Sequence, residues 1–414
     1  MKPFASRTDW NLAPNRLAQL AGERRRAGLA ILDLTESNPT RCQLDYDRDA
    51  ILRCLADPRD LDYSPDPRGL VEARAAVSEY YAAWGAPVHP DRILLTSGTS
   101  EAYAHLFRLL AEPGSRVLAP QPSYPLLEFL SRLNDLELAA YRIEYDQGWR
   151  IDFASLERAA DDRARALVVI QPNNPTGSLL QPDERPALIE FAASRGLALI
   201  VDEVFLDYCL PEAAARARTL AGEAGALTFV LNGLSKTAAL PQMKVGWIAA
   251  SGPPALLREA LDRLEVILDT YLAVGTPAQR ALPQLLACRE PIQRRIRERL
   301  FENLRRLDAK LARQSLCSRL ELEGGWSVVL RLPRVRTDQQ WAEDLLEKDG
   351  LLTHPGHFFD FEGEAYLALS LLVPAAVLDE GTDRILARVA HIYLDLGAGC
   401  RTMPSGSRKI RRSG

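Results

Sequence analysis

Short apolar runs alternate with segments of helical length through the middle of the chain. The apolar runs predict β-strands, at residues 92–96, 116–119, 136–141, 166–170, 197–201, 227–231 and 245–250. The segments between and around them predict helices, at residues 70–84, 99–111, 124–133, 152–160, 183–194 and 254–268. Because buried strands that alternate with helices form mostly parallel sheets with helices on both faces, the pattern predicts an α/β fold.

The two ends of the chain predict a smaller α+β unit. Its elements are predicted as helices at 14–27, 339–348 and 375–395 and as strands at 30–34, 327–332 and 366–371. A long helical region at 276–313 carries leucine and isoleucine at helical spacing, with expected interruptions at Pro283 and Pro291.

These elements divide the chain into four parts. They are an N-terminal arm with part of the small domain (1–50), a large domain (51–275), an interdomain helix with the C-terminal small domain (276–400) and a disordered basic tail (401–414). The large domain contains all the strands of the predicted parallel sheet, so we expect the functional site there.

Composition narrows the possible functions. The 414 residues are 47% apolar and 26% charged, as in a soluble globular protein, and the net charge of −4 argues against a nucleic-acid surface. No apolar run approaches the ~20 residues that span a bilayer, and the N-terminus lacks the apolar core of a signal peptide. The six cysteines and five histidines are scattered, so we expect reduced thiols, no metal and a cytoplasmic location.

One stretch, LNGLSKTAALPQMKVGW at residues 231–247, places lysine between two predicted strands. Lysine and arginine together number 51, of which only six are lysines, and two of the six, Lys236 and Lys244, fall in this stretch. A buried ammonium is costly unless it is paired or neutral, and a neutral lysine amine, unlike a guanidinium, can attack a carbonyl to form a Schiff base. From this stretch alone, a reactive lysine and an ordinary surface lysine are equally good interpretations.

Four further features lie at the carboxyl ends of predicted strands, where the sites of α/β sheets collect. Residues 97–100, SGTS, open a helix and can hold a phosphate on free N–H groups or serve only as a helix cap. Residues 171–177, QPNNPTG, can form a site loop or a simple turn. Asp202 ends a buried strand and either pairs with a cation such as a protonated ring nitrogen or caps a helix. Tyr124 can face a planar ring or pack in the core.

In this order, NNPTG followed by DE and then SK, the motifs resemble those of the pyridoxal-phosphate (PLP) enzymes of fold type I, class I/II aminotransferases. The resemblance extends over roughly residues 30–395. It implies PLP as cofactor, a mostly parallel central sheet with helices on both faces, a smaller α+β domain and a homodimer with active sites at the subunit interface. It also implies transfer of an amino group from an amino donor to a keto-acid acceptor.

The resemblance assigns catalytic and cofactor-binding roles to matching residues. Lys236 resembles the lysine that forms the Schiff base and then moves the substrate proton, and Asp202 the carboxylate that keeps the pyridine nitrogen protonated. Asn174 resembles the donor to the cofactor's 3′-oxygen, and Tyr124 the aromatic residue that stacks on the ring. The residues that resemble the phosphate site are Gly98, Thr99, Ser100 and Ser235, together with Tyr63 from the neighbouring subunit.

The substrate side is matched less fully. Ser37 resembles the residue whose backbone faces the substrate. The expected substrate neighbours are Ser37, Asn38, Arg41 and Asn174.

Three positions depart from the family pattern. Phe205 stands where a tyrosine usually donates to the 3′-oxygen, which predicts a higher Schiff-base pKa than in relatives with the tyrosine, unless nearby Tyr208 substitutes. Lys244 replaces the usual phosphate-binding arginine and keeps its charge but not its bidentate fork. Ala368 stands where an arginine usually binds the substrate carboxylate. Either another residue, such as Arg41, binds that group, or the substrate does not carry it there.

Other functions on this scaffold stay open. It also supports lyase, decarboxylase and cyclising reactions, and the missing arginine favours such specialised chemistry. A cofactor-sensing regulator is disfavoured because no helix-turn-helix pattern fits the N-terminal residues, and a catalytically dead homologue because Lys236, Asp202 and Asn174 are all present.

Overall fold

The computed structural model describes residues 4–363 and 365–399, with side chains as far as residue 394. The tail at 401–414, expected to be disordered, lies outside the described residues. The helices are α1 (Arg16–Arg26), α2 (Arg48–Cys54), α3 (Val71–Ala83), α4 (Thr99–Leu110), α5 (Leu126–Leu133), α6 (Phe153–Ala159), α7 (Glu184–Ser194), α8 (Pro211–Ala214), α9 (Leu234–Thr237), α10 (Pro254–Tyr271), α11 (Thr276–Ala287), α12 (Arg289–Leu311), α13 (Asp338–Asp349) and α14 (Ala375–Gly399). The strands are β1 (Leu32–Asp33), β2 (Ile93–Thr96), β3 (Arg116–Gln121), β4 (Glu137–Tyr145), β5 (Trp149–Ile151), β6 (Ala164–Ile170), β7 (Ala198–Asp202), β8 (Thr228–Gly233), β9 (Gly246–Ser251), β10 (Ser318–Arg319), β11 (Ser327–Arg331), β12 (Leu351–Leu352), β13 (His354–Pro355) and β14 (Tyr366–Ser370).

Eight strands form one large sheet, in the order β2-β9-β8-β7-β6-β3-β4-β5. Strands β3, β4, β6, β7 and β8 are parallel, whereas β9 and β5 run antiparallel to their neighbours. The predicted mostly parallel sheet is therefore present. Two parallel strands need a long crossover connection, usually a helix that covers the sheet. The connection between β8 and β9 contains only short helical turns, so β9 runs antiparallel to β8.

Helices cover both faces of the large sheet. Along β7, Leu199 and Val201 pack with residues of α3 and α11, whereas Ile200 packs on the opposite face with residues of α4 and α10. All three side chains are fully buried. Because both faces are covered, the central strands need apolar residues at every position, which is why the sequence shows them as continuous apolar runs.

The smaller sheet is antiparallel, in the order β10-β11-β14-β13. The N-terminal strand β1 pairs in parallel with β12, with Leu32 opposite Leu351. Helix α1 packs on α13, and α12 packs on α14. The stripe at helical spacing on α12 is buried in this core, and it consists of Ile292, Ile296, Leu300, Leu304, Leu307 and Leu311.

The expected interruptions of the long helical region at its prolines are wrong. The break falls at Cys288, and Pro283 lies inside α11. Pro291 occupies the first turn of α12, where a backbone N–H has no helical acceptor and proline is tolerated. Around Pro283 the buried residues Leu282 and Leu285 anchor the helix, so the loss of one intrahelical hydrogen bond does not end it.

Two further properties of the described residues bear on function. None of their helices combines the length and apolarity that a membrane crossing requires. In the same part of the chain, histidine, cysteine, aspartate and glutamate form no group of three or more that is placed to hold a metal ion.

Candidate active site

A cavity of about 270 Å³ opens at the carboxyl ends of the parallel strands. Ile170, Asp202 and Gly233, the last residues of the neighbouring strands β6, β7 and β8, all line it. The lining residues that were predicted from the sequence are Ser37, Gly98, Thr99, Tyr124, Asn174, Asp202, Phe205, Ser235 and Lys236. The site motifs, although far apart in the chain, therefore meet at one place because strand ends converge there.

Lys236 lies on the four-residue helix α9, directly after β8. Its Nζ is 5.1 Å from the ring centre of Trp326 and 5.6 Å from that of Phe205. Burial lowers the pKa of Lys236, and the negative charge of Asp202 opposes this effect. The aromatic rings and the burial together place a poorly solvated amine inside the cavity, which favours its neutral, nucleophilic form.

Asp202 lies at the end of β7, paired with Leu231 of β8. Strand β8 leads into α9, Leu234–Thr237, which carries Lys236 and is the lysine turn. Asp202 Oδ2 accepts a hydrogen bond from the Tyr103 hydroxyl at 3.2 Å, and its Oδ1 accepts one from the backbone N–H of Val204 at 3.1 Å. Burial raises the pKa of Asp202 to about 6, although both hydrogen bonds and the charge of Lys236 favour the ionised form. A further cation beside this carboxylate would satisfy it and lower its pKa.

Glu203, the neighbouring acid, has a structural environment. It is fully buried, and its carboxyl accepts hydrogen bonds from Gln171, Thr219 and the backbone N–H of Leu220. Burial raises the pKa of Glu203 to about 7. The two adjacent acids therefore have different surroundings: Asp202 lines the cavity, and Glu203 is hydrogen-bonded within the protein interior.

Gly98 and Thr99, at the start of α4, form a cradle of backbone N–H groups that is suited to an anion. Gly98 precedes the helix at φ 142°, and no side chain caps the first free N–H groups. A Cβ on Gly98 would lie 3.9 Å from Lys244 Nζ, and a Cβ on Gly246 would lie 2.9 Å from the Gly98 backbone. Glycine at 246 therefore lets β9 approach the cradle closely, while the helix N-terminus and the Lys244 ammonium both favour a negative group beside Gly98.

The two asparagines of the NNPTG motif have different environments. Asn173 is buried, and its side-chain amide donates to the carbonyl of Pro122 and to the Thr176 hydroxyl, at 3.0 and 2.9 Å. Asn174 instead lines the cavity, where its Oδ1 accepts a hydrogen bond from Ser327 Oγ at 3.4 Å. The first asparagine therefore holds the loop in shape, and the second faces the site.

Several predicted residues lie outside the cavity lining. Ser100 and Lys244 adjoin the cradle without lining the cavity. The side chain of Asn38 accepts hydrogen bonds from Thr40 within its own loop. Arg41 is exposed and pairs with Glu36 at 3.9 Å, and Tyr63 is 77% exposed.

The structure shows the contacts of Phe205 and Ala368, two of the residues that depart from the family pattern. Phe205 is buried against Trp326, with ring centres 5.4 Å apart. Tyr208 is fully buried, and its hydroxyl donates to the backbone carbonyl of Lys236 at 2.6 Å, so it does not reach into the cavity. Ala368 is buried in β14 opposite Val329, with no guanidinium in its place.

Sequence reasoning missed three residues that shape the site: Tyr103, Trp326 and Ser327. Tyr103 had a usable signal, because it lies four residues after Thr99 and therefore on the same face of α4 one turn further along. Trp326 and Ser327 come from the small domain, and nothing in their local sequence indicates that they meet Lys236.

Comparisons with known proteins agree with this arrangement. A family model for aminotransferase class I and II matches residues 30–385. Alanine aminotransferase from Mycobacterium tuberculosis strain H37Rv is 30% identical over 355 residues, which are 83% of this chain and 82% of that protein. Nicotianamine aminotransferase B from barley, Hordeum vulgare, is 36% identical over 227 residues, which are 53% of this chain and 40% of that protein. The chain thus matches less than half the length of the barley protein.

A solved structure gives the same result for the fold. Alanine aminotransferase from Pyrococcus furiosus superposes with a TM-score of 0.84 at 22% sequence identity, covering 94% of this chain and 100% of that chain. The likeness confirms the predicted fold, a fold type I arrangement of a large, mostly parallel sheet and a smaller sheet domain.

Proposed function

This chain belongs to the class I and II aminotransferase family, and on that premise we propose that it transfers an amino group from an amino acid or related amine to a keto acid, with PLP held as a Schiff base on Lys236. One observation carries the proposal: Lys236, which follows β8 and has a lowered pKa, and Asp202, at the end of the neighbouring strand β7, line the same cavity. A lyase, decarboxylase or cyclising function is not favoured, because the named relatives are aminotransferases.

The residues of the cavity fit this cofactor. Lys236 supplies the amine for the covalent linkage, and Asp202 a buried carboxylate whose raised pKa calls for a cationic partner. The uncapped start of α4 at Gly98, with the Lys244 ammonium beside it, would hold the phosphate. Tyr124 would cover the ring, and Asn174 would donate to its oxygen.

The chain's own residues divide the chemical work. When bound, PLP supplies an electron sink for the bonds at the substrate's α-carbon. Asp202, supported by the hydrogen bond from Tyr103, would hold a proton on the ring nitrogen. The Lys236 amine would accept the substrate's α-proton and return it to a neighbouring atom, and the apolar side chains of Phe205 and Trp326 would limit the access of water to that proton.

The direct test is an absorbance spectrum of the purified protein with PLP, followed by additions of single amino acids and amines. We expect a band of covalently bound cofactor, and one class of donor should convert it to the band of pyridoxamine phosphate. A band that no donor converts would reopen the lyase, decarboxylase and cyclising reactions. Absence of any band, with identical behaviour of Lys236→Ala, would falsify the proposal.

We expect Phe205→Tyr to lower the pKa of the lysine–cofactor linkage, because the new hydroxyl donates to the cofactor's oxygen and stabilises the deprotonated form. Tyr208 does not already supply this donor, since its hydroxyl bonds the Lys236 carbonyl. The measurement is a pH titration of the cofactor absorbance in wild type and variant. Phe358→Tyr, a partly buried phenylalanine outside the cavity lining, is the control. An unchanged titration in Phe205→Tyr contradicts the assignment.

We also propose a homodimer in which Tyr63 of one subunit completes the phosphate site of the other. Tyr63 is 77% exposed, and Leu61 and Val71, which lie close to it in the sequence, are 93% and 60% exposed. A second copy would cover these apolar side chains. Inactive Lys236→Ala and Tyr63→Ala proteins should regain activity when they are mixed and allowed to exchange subunits. In each hybrid dimer, one site combines the intact Lys236 of one subunit with the intact Tyr63 of the other. If the mixture stays inactive while hybrids form, Tyr63 does not act across the interface.

The proposed location is the cytoplasm. The five cysteines of the described residues are all free thiols, which suits a reducing compartment.

A further inference from the structure

Helix α12 carries buried polar side chains beside its apolar stripe. Gln293 is 3% exposed and Asn303 is 0% exposed. A buried amide is costly unless it is hydrogen-bonded, and leucine or methionine would pack at these positions without that cost. The partners of these amides therefore indicate what the polar residues do.

At its N-terminal end, α12 holds the lysine turn. Gln293 Nε2 donates to the carbonyl of Thr237 at 2.7 Å, and Thr237 follows Lys236 directly. The adjacent Lys236 carbonyl accepts the Tyr208 hydroxyl. Helix α9 is only four residues long, so few backbone N–H groups follow to bond its carbonyls; that of Ala239 donates to the Lys236 carbonyl at 3.1 Å. The side chains of Gln293 and Tyr208 add support to this backbone from outside the turn.

Further along, α12 holds two loops on the substrate side of the cavity. Arg299 Nη1 donates to the carbonyls of Cys42 and Leu372 at 3.2 and 3.3 Å, and Cys42 lies in the loop that carries Ser37. Asn303 Nδ2 donates to the carbonyl of Leu371 at 2.8 Å. The N–H of Leu371 in turn donates to the carbonyl of Trp326, a wall of the cavity, also at 2.8 Å.

We propose that α12 is the element that sets the reacting lysine and the substrate-side walls at a fixed separation. Gln293 is the positioning residue for Lys236, and Arg299 and Asn303 are the positioning residues for the Ser37 loop and for Trp326. Asn303 lies ten residues after Gln293, which corresponds to about 15 Å along a single rigid helix. Displacement of reacting groups by about 1 Å can cost about 10²-fold in rate, so such a support has a catalytic consequence. The inference rests on the proposed function for its kinetic test.

The test compares Gln293→Met with Gln314→Met in the cofactor-bound protein. Gln314, just beyond the end of α12, also donates its amide to backbone carbonyls, those of Leu311 and Cys317, but lies outside the cavity lining. We expect Gln293→Met to lower kcat by about tenfold or more with KM within about threefold, and amides 236–240 to exchange hydrogen faster. Gln314→Met should leave kcat and that exchange unchanged.

A second pair covers the case in which Gln293→Met does not fold. Tyr208→Phe removes the donor to the Lys236 carbonyl, and Tyr141→Phe removes an equally buried hydroxyl that bonds the Val168 carbonyl, away from the lysine turn. Only Tyr208→Phe should lower kcat and raise exchange at 236–240.

Arg299→Met separates positioning from general stability. It should raise KM more than it lowers kcat, because it loosens the Ser37 loop and leaves the lysine turn in place. Equal losses of kcat in every variant and control, or unchanged exchange at 236–240 in Gln293→Met and Tyr208→Phe, overturn the inference. If wild type transfers no amino group, the proposed function fails, and the exchange comparison alone decides the role of α12.

Discussion

Replacing Lys236 with alanine is expected to lower amino-group transfer by at least about 10⁴-fold, since one side chain supplies both the covalent linkage and the proton transfer. Among the residues that line the cavity, Lys236 is the only one with an amine. Its position directly after β8, with Nζ 5.6 Å from the ring centre of Phe205 and 5.1 Å from that of Trp326, is reproduced by no other lysine of the described residues. Steady-state rates and mass spectrometry after borohydride reduction measure the two effects together.

Two variants serve as controls for this result. Lys236→Arg keeps a cation at the same place but has no amine that can deprotonate, so it should be as inactive as the alanine variant. Lys244→Ala removes the other lysine of the stretch, which lies beside Gly98, and should weaken cofactor binding while the reduced adduct still forms on Lys236. A reduced adduct in Lys236→Ala would place the linkage on another lysine and contradict the assignment.

The sequence predicted the large sheet and most of the site for one physical reason. Strands buried on both faces must be apolar throughout, so a polar residue directly after such a run lies at a strand end. Asp202, Asn174 and the Gly98 turn could be located in this way, and parallel strands then bring their carboxyl ends to one edge. The direction of β9 could not be predicted from the sequence, because a buried apolar run has the same pattern in a parallel and an antiparallel strand.

The small-domain side of the site could not be predicted from local pattern. Trp326 follows two glycines before β11, and its contact with Lys236 depends on how the two sheets pack. Gln293 and Asn303 of α12 lie beside an apolar stripe, and their roles appear only when the carbonyls they bond are known. Tyr63 is exposed in the single chain, so its proposed role across a dimer interface cannot be read from one copy.

The residue that binds the substrate carboxylate in the family pattern is missing from this chain. Ala368 is buried where the family pattern has an arginine, and Arg41 is exposed and paired with Glu36. The cavity lining contains no arginine among the described residues, and its neutral hydrogen-bonding groups near the small domain are Ser37, Asn174 and Ser327. A donor without an acidic group at this position, or an acid held by neutral donors, fits these walls better than one that requires a bidentate guanidinium.

Asp202→Asn is expected to lower amino-group transfer by about 10²- to 10³-fold, the usual loss when one preorganised electrostatic partner is removed. Asparagine keeps the size of the side chain and a hydrogen bond to Tyr103, but it carries no charge to hold a proton on the cofactor's ring nitrogen. The covalent linkage to Lys236 should still form, so the variant should be coloured and slow. Single-turnover absorbance kinetics with a converting donor measure the rate directly.

Glu203→Gln is the matched control for Asp202→Asn, because both variants convert a buried acid of the same strand end to its amide. Burial raises the pKa of Glu203 to about 7, so glutamine resembles its protonated form, and we expect transfer to stay near the wild-type rate.

The pH dependence of cofactor affinity distinguishes the two acids further. Burial raises the pKa of Asp202 to about 6, so at lower pH the carboxylate is mostly protonated and loses its attraction for a cationic ring. Cofactor affinity of wild type should therefore fall as the pH decreases through about 6, and this dependence should be absent in Asp202→Asn. The assignment is wrong if Asp202→Asn transfers amino groups at the rate of Glu203→Gln.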